Sequence, residues 1–178
     1  MKTVQLHDLT FELFLEKNDL QQEIQGLALK VSKDYLGRCP IIISVLNGAF
    51  RFTSSFMDYY EGECEVSFIR VKSYEGTSST GTVKELLGLD KSIQNRDIII
   101  MEDIVDSGET IDFLWKTLNS LNPASIKVAS LFFKPDIYRK KIPIDYIGRS
   151  IPNKFIVGFG LDYDELGRNL NAIYQKKE

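Results

Sequence analysis

The sequence predicts an α/β fold built on a central, mostly parallel sheet. Apolar runs at positions 40–46 and 97–101 have the composition of buried strands, the first rich in β-branched residues that suit burial on both faces. A further run at 126–133 reads as another strand, and stretches with apolar residues at helical spacing lie between them. Alternation of strand and helix is what a parallel sheet covered by helices requires.

Residues 11–16 are short and largely alternating, as in an edge strand. Asp19 is placed to cap a helix whose apolar stripe runs Leu20, Ile24, Leu27, Val31 and Tyr35, with Gly37 as the stop. After the strand at 40–46, Asn47-Gly48 breaks the pattern, and Phe52, Phe56 and Tyr59 repeat at helical spacing. Residues 65–71 read as a strand, followed by a polar, small-residue stretch at 73–81 expected to be a mobile loop. The strand at 97–101 gives way to a turn over 103–110, and Ile111, Leu114, Trp115 and Leu118 form the face of the next helix. Pro123 ends that region before the strand at 126–133. From Pro135 onward the mixture of Pro, Gly and aromatics predicts irregular chain with short strands.

The 178 residues are expected to form a single domain, 1–178, with no linker and no repeat. A lone histidine, His7, leaves little for histidine-rich zinc sites or Ser-His-Asp machinery, so acid–base work would fall to carboxylates, lysines or tyrosines. A net charge of −3 argues against a broad nucleic-acid surface. Cys39 and Cys64 make no disulfide framework, and no signal or membrane-spanning segment is visible. These features fit a cytoplasmic protein that binds neither nucleic acid nor membrane.

The segment Ile100-Met101-Glu102-Asp103-Ile104-Val105-Asp106-Ser107-Gly108-Glu109-Thr110 is the most informative. A buried strand is followed at once by two carboxylates, then a third, before small and hydroxyl residues open a helix. Such a turn gathers backbone N–H groups at the positive end of a helix dipole, an anion site to which Ser107 and Thr110 add donors. Three carboxylates beside a bound phosphate need another purpose. They can accept from ribose hydroxyls or hold Mg²⁺ that neutralises the substrate. The ordinary alternative is a strand end at Glu102 and Asp103 with Asp106 as a helix cap.

Residues 102–110 resemble the phosphoribosyl pyrophosphate signature of the type I phosphoribosyltransferases. The resemblance continues through residues 68–74 and Ser79-Thr80-Gly81, similar to that family's catalytic loop, and through Ser130-Leu131-Phe132-Phe133-Lys134. It ends in residues 154–163 and Arg168-Asn169-Leu170. Several motifs in order point to the hypoxanthine-guanine branch. The fold implied is a type I phosphoribosyltransferase sheet with a small hood from the N- and C-terminal segments. The reaction implied is purine salvage: hypoxanthine or guanine plus phosphoribosyl pyrophosphate gives IMP or GMP and pyrophosphate.

The resemblance also implies roles. Glu102 and Asp103 would bind the ribose hydroxyls, directly or through Mg²⁺, and Asp162 a second Mg²⁺ on the pyrophosphate. Asp106, Ser107, Gly108, Glu109 and Thr110 would cradle the 5′-phosphate, with Asp106 also the proton acceptor near N7 of the purine. Lys134 would donate to O6, Phe155 would stack on the base, the Ile156 backbone would read its edge, and Arg168 would contact the pyrophosphate. Ser73 and Tyr74 would cover the reacting centre. Asn47 and Gly48 would present backbone N–H groups across a cis peptide, although the family usually has lysine at position 47. A homo-oligomer, dimer or tetramer, is implied as well.

Each residue has a plainer reading: Lys134 an exposed strand-end lysine, Phe155 core, Asp162–Arg168 a surface ion pair, Tyr74 a loop aromatic, Asn47-Gly48 a hairpin turn. Three other readings fit the same segments: a xanthine-preferring transferase, a non-catalytic nucleotide sensor, and a plain phosphate-binding α/β domain, the last weakened by the C-terminal matches. A sensor would more often lack Asp106 or the mobile loop, or carry a DNA-binding domain.

Overall fold

The computed structural model describes residues 3–73, 83–89 and 91–178. Its larger sheet has six strands in the order β5-β4-β3-β6-β7-β8. These are β3 (Ile41–Leu46), β4 (Glu65–Ser73), β5 (Val83–Leu87), β6 (Asp97–Val105), β7 (Ser125–Phe133) and β8 (Tyr146–Ser150). All neighbours are parallel except β5, which runs antiparallel to β4.

The apolar runs explain why both faces are covered. Ile42, Ile99 and Met101 enter one core cluster, against α1 (Lys17–Asp34) and α2 (Phe50–Met57). Their neighbours Ile41, Ile43, Ile98 and Ile100 enter a second cluster with Ile111, Leu114 and Leu118 of α3 (Glu109–Asn119). Successive strand residues point to opposite faces, so an unbroken apolar run needs a helical layer on each side. Trp115 is only partly buried.

Two boundaries differ from expectation. Asp19 is not the cap of α1: the helix starts at Lys17 after Glu16, and Asp19 lies in the first turn, where its charge still favours the helix dipole. Strand β6 does not stop at Met101 but continues through Glu102 and Asp103 to Val105, paired with β7 as far as Val105↔Phe133.

The smaller sheet is the expected hood. Its order is β1-β2-β10-β9, formed by β1 (Thr3–Leu6), β2 (Leu9–Leu15), β10 (Ile173–Lys176) and β9 (Ile156–Val157). The strand foreseen at 11–16 is therefore not an edge, because β2 pairs with β1 on one side and β10 on the other. Leu15, Ile156 and Ile173 of the hood share a buried cluster with Ile42 and Met101 of the larger sheet, so the two sheets are fixed to one core.

Candidate active site

Strands β3, β6 and β7 end side by side, and the chemistry-bearing residues collect at those carboxyl ends, where parallel α/β sheets bind ligands. After β3 the Leu46–Asn47 peptide is cis, and the turn leads into α2 rather than a hairpin. The buried hydroxyl of Thr53 on α2 donates to Ser44 Oγ on β3 at 2.8 Å, tying the two elements that flank the turn. Gly48 has no space for a side chain: a Cβ there would lie 1.8 Å from Asp103 Oδ2. On its other side, a Cβ on Gly160 would lie 2.1 Å from the Gly48 carbonyl oxygen.

Beyond β6, Asp106 and Ser107 are exposed, and Gly108 starts α3 at φ 90°, a conformation L side chains rarely adopt. No side chain among the described residues caps α3, so the N–H groups of its first turn are available to an anion. Lys140 Nζ lies 2.6 Å from Glu109 Oε1, which offsets the charge of that first-turn carboxylate.

Glu102 and Asp103 are each 8% exposed, and Glu102 Oε2 has no hydrogen-bond partner among the described residues. Burial pushes the Glu102 carboxyl well above the usual range, and the Asp103 charge adds to the effect. Burial also raises Asp103, to about 6, although the Ile104 N–H donates to its Oδ1 at 2.8 Å. Buried carboxyls with an unsatisfied oxygen suit hard, oxygen-seeking partners, namely Mg²⁺ or hydroxyl groups. A cleft of about 320 Å³ brings both together with Asn47, Gly48, Thr110, Asp162 and Arg168. Recesses of about 420 Å³ beside α1 and about 640 Å³ near the end of α3 hold none of these residues, so size does not locate the site.

Lys134 is 5% exposed and its Nζ donates to Asp106 Oδ2 at 3.1 Å; it is not the exposed strand-end lysine of the plainer reading. Phe155 is 45% exposed, not core, with Phe11 and Tyr163 at ring-centroid distances of 6.0 and 5.8 Å. Ile156 is on β9, the outer strand of the hood, but neither it nor Phe155 lines the cleft. Asp162 and Arg168 do form an ion pair, at 2.9 Å, partly buried in the cleft wall. Glu102, Asp103 and Asp162 are not gathered into one three-carboxylate cluster among the described residues. Ser73 ends β4, while Tyr74 and the Ser79-Thr80-Gly81 motif lie outside the described residues.

Arg51 escaped the sequence reading. Its guanidinium spans the carbonyls of Arg168, Asn169 and Leu170, partners more than a hundred residues away, and no local pattern announces them.

A parallel sheet with its anion turn, paired carboxylates and cleft at the strand ends defines a nucleotide-handling transferase class. The chain belongs to the phosphoribosyl transferase domain family, whose model matches residues 14–164. Its place there is with the hypoxanthine-guanine phosphoribosyltransferases. It is 41% identical to the one from Streptococcus pyogenes, over 94% of this chain and 93% of that protein. Among solved structures, a hypoxanthine phosphoribosyltransferase from Staphylococcus aureus matches with a TM-score of 0.88 at 35% identity, covering 93% of this chain and 91% of the other. One from Trypanosoma cruzi matches with a TM-score of 0.88 at 30% identity, covering 98% and 95%.

Proposed function

We propose that this chain transfers the 5-phosphoribosyl group of phosphoribosyl pyrophosphate to hypoxanthine or guanine, giving IMP or GMP and pyrophosphate. The observation that carries the reading is the buried Lys134 ammonium reaching Asp106 beyond the end of β6. A desolvated cation beside a carboxylate can donate to O6 of a 6-oxopurine while the carboxylate accepts the proton from N7. Phe155, with one region of its ring left open, stacks on the base, and the edge strand carrying Ile156 offers backbone groups to it.

The N-terminus of α3, with Ser107 and Thr110, holds the 5′-phosphate. Glu102 and Asp103 face the ribose hydroxyls and would hold one Mg²⁺, while Asp162 would hold a second on the pyrophosphate. Bound there, Mg²⁺ would neutralise the charge that builds on the departing pyrophosphate. Asn47, Gly48 and Arg168 orient that leaving group. The family resemblance assigns Ser73 and Tyr74 to the loop that shields the reacting centre. Most of the rate gain is positioning, since the residues themselves make no covalent bond to substrate.

The 178 residues act as one domain, a reading supported by the core cluster shared between both sheets. The protein works in the cytoplasm as a homo-oligomer, dimer or tetramer. The unpaired thiols of Cys39 and Cys64 suit a reducing compartment, and no described helix is long and apolar enough to cross a membrane. The testing experiment is an assay with Mg²⁺ and phosphoribosyl pyrophosphate against hypoxanthine, guanine, xanthine and adenine. Nucleotide formation from the first two supports the reading, and turnover of xanthine or adenine alone overturns it.

A further inference from the structure

Arg51 stands just after the Asn47-Gly48 turn, in the first turn of α2. Its Nη1 donates to the carbonyl oxygens of Arg168, Asn169 and Leu170 at 3.4, 3.1 and 2.7 Å, and its Nη2 donates to Asn171 Oδ1 at 2.8 Å. The guanidinium also lies over the Phe159 ring, 4.6 Å from its centroid. Two of the same carbonyls close the loop from within: Leu170 O accepts from the Phe159 N–H at 2.9 Å, and Arg168 O from the Gly160 N–H at 3.1 Å. Arg168 in turn donates from Nη1 to Gly160 O at 2.9 Å. One planar cation therefore fastens the backbone that carries Arg168 to the helix that follows the Gly48 turn.

We propose that Arg51 is a positioning residue for the pyrophosphate: it sets the separation between the Asn47-Gly48 turn and Arg168, the two walls that receive that group. It touches neither substrate nor reacting atoms. The inference rests on the reading that Arg168 contacts the pyrophosphate. A flat fork of donors is needed, because three successive carbonyls and an amide oxygen must be met from one plane above an aromatic ring. Lysine, with a compact ammonium, can meet only some of them.

The test compares Arg51→Met, Arg51→Lys, Asn171→Ala and Arg168→Gln in steady-state kinetics and in product inhibition by inorganic pyrophosphate, all in excess Mg²⁺. For Arg51→Met we expect KM for phosphoribosyl pyrophosphate and the pyrophosphate inhibition constant to rise together by about tenfold, since small misplacements of orienting groups are this costly. KM for hypoxanthine should change less than about twofold, because Arg51 bonds only the segment beyond the base-stacking residue. Arg51→Lys should fall between the two. A purely structural arginine would lower the melting temperature and the active fraction and leave both constants unmoved in the folded remainder, which overturns the proposal. If Arg51→Met does not fold, Asn171→Ala decides: Asn171 is exposed, and its loss should move the same two constants in the same direction. Unchanged constants there overturn the proposal too. Arg168→Gln separates the premises. If it leaves pyrophosphate inhibition intact, the assignment of Arg168 fails and this inference falls with it. If it weakens inhibition while the Arg51 and Asn171 variants do not, only the role of Arg51 is wrong.

Discussion

The Lys134 ammonium donates to the Asp106 carboxylate at 3.1 Å, joining a nearly buried cation at the end of β7 to a half-exposed anion in the turn after β6. Before a base arrives, each group satisfies the other. A 6-oxopurine can take over both, accepting from Lys134 at O6 and giving its N7 proton to Asp106. The pair thus holds donor and acceptor in place without leaving a buried charge alone.

Replacing Asp106 by asparagine keeps the size but not the basicity. Single-turnover nucleotide synthesis should slow by about 10²–10⁴-fold. KM for phosphoribosyl pyrophosphate should stay close to wild type. An undiminished chemical step would remove Asp106 as the proton acceptor.

Lys134 should set the base preference. An ammonium meets only another donor at the 6-amino group of adenine, and a site built around that hydrogen bond rejects a mismatch by about 10⁴-fold in kcat/KM. Competition between hypoxanthine and adenine measures the ratio. Near-equal turnover would place the protein in another branch of the family.

Nucleotide formation should stop in excess chelator and return with Mg²⁺. In the proposed reading Glu102 and Asp103 meet an anionic substrate; burial favours their protonated forms, and a cation that joins the partnerless Glu102 Oε2 lets both carry the charge that holds substrate and metal together. Full activity without any divalent ion would contradict that assignment.

Gly48→Ala should be far worse than Asn47→Lys. A methyl at position 48 falls onto the Asp103 carboxylate, so Asp103 must leave its place and its bond to the Ile104 N–H. KM for phosphoribosyl pyrophosphate should rise about tenfold or more. The Asn47 side chain makes no hydrogen bond among the described residues. Its exchange for lysine should change the same KM by less than about tenfold, under about 1.4 kcal/mol. The opposite ranking would mean that the side chain at 47, not the backbone, receives the anion.

Stability of the ligand-free protein should fall as pH rises. Asp103 is raised from 3.8 to about 6 in the folded state, so folding favours its protonated form. That contribution is fully present below pH 3.8 and is lost as pH climbs through 6, a change of about 3 kcal/mol at most. Asp103→Asn cannot titrate, so denaturation curves of the two proteins should diverge between pH 4 and 7, with the variant increasingly the more stable. Parallel curves would show that Asp103 is not perturbed.

Much of this was legible in the sequence where the signal is local. The runs at 40–46 and 97–101 give two-sided strands because every residue in them can be buried, and residues 102–110 declare an anion turn by their own chemistry. The extent of β6 was not legible. Glu102 and Asp103 end the apolar signal, yet the backbone ladder is indifferent to side-chain polarity and continues to Val105. Strand β5 mixes charged and apolar residues without alternation, so nothing marks it. The position of β2 inside the hood depends on β10, far along the chain, and the Arg51 contacts depend on residues 168–171. The residues around Lys134 by themselves suggest only a strand-end lysine, because the carboxylate that its ammonium meets, Asp106, lies 28 positions earlier.

The crowding of Gly48 between Asp103 and Gly160 also governs how such a gene can drift. If the backbone receives the anion, codon 47 can exchange lysine and asparagine, which a single third-base change separates. Codons 48 and 160 are not: any missense change inserts a carbon where an oxygen already stands, at 1.8 and 2.1 Å. In a saturation library selected for purine salvage, variation should therefore accumulate at position 47 and be purged at the glycines on either side of the contact.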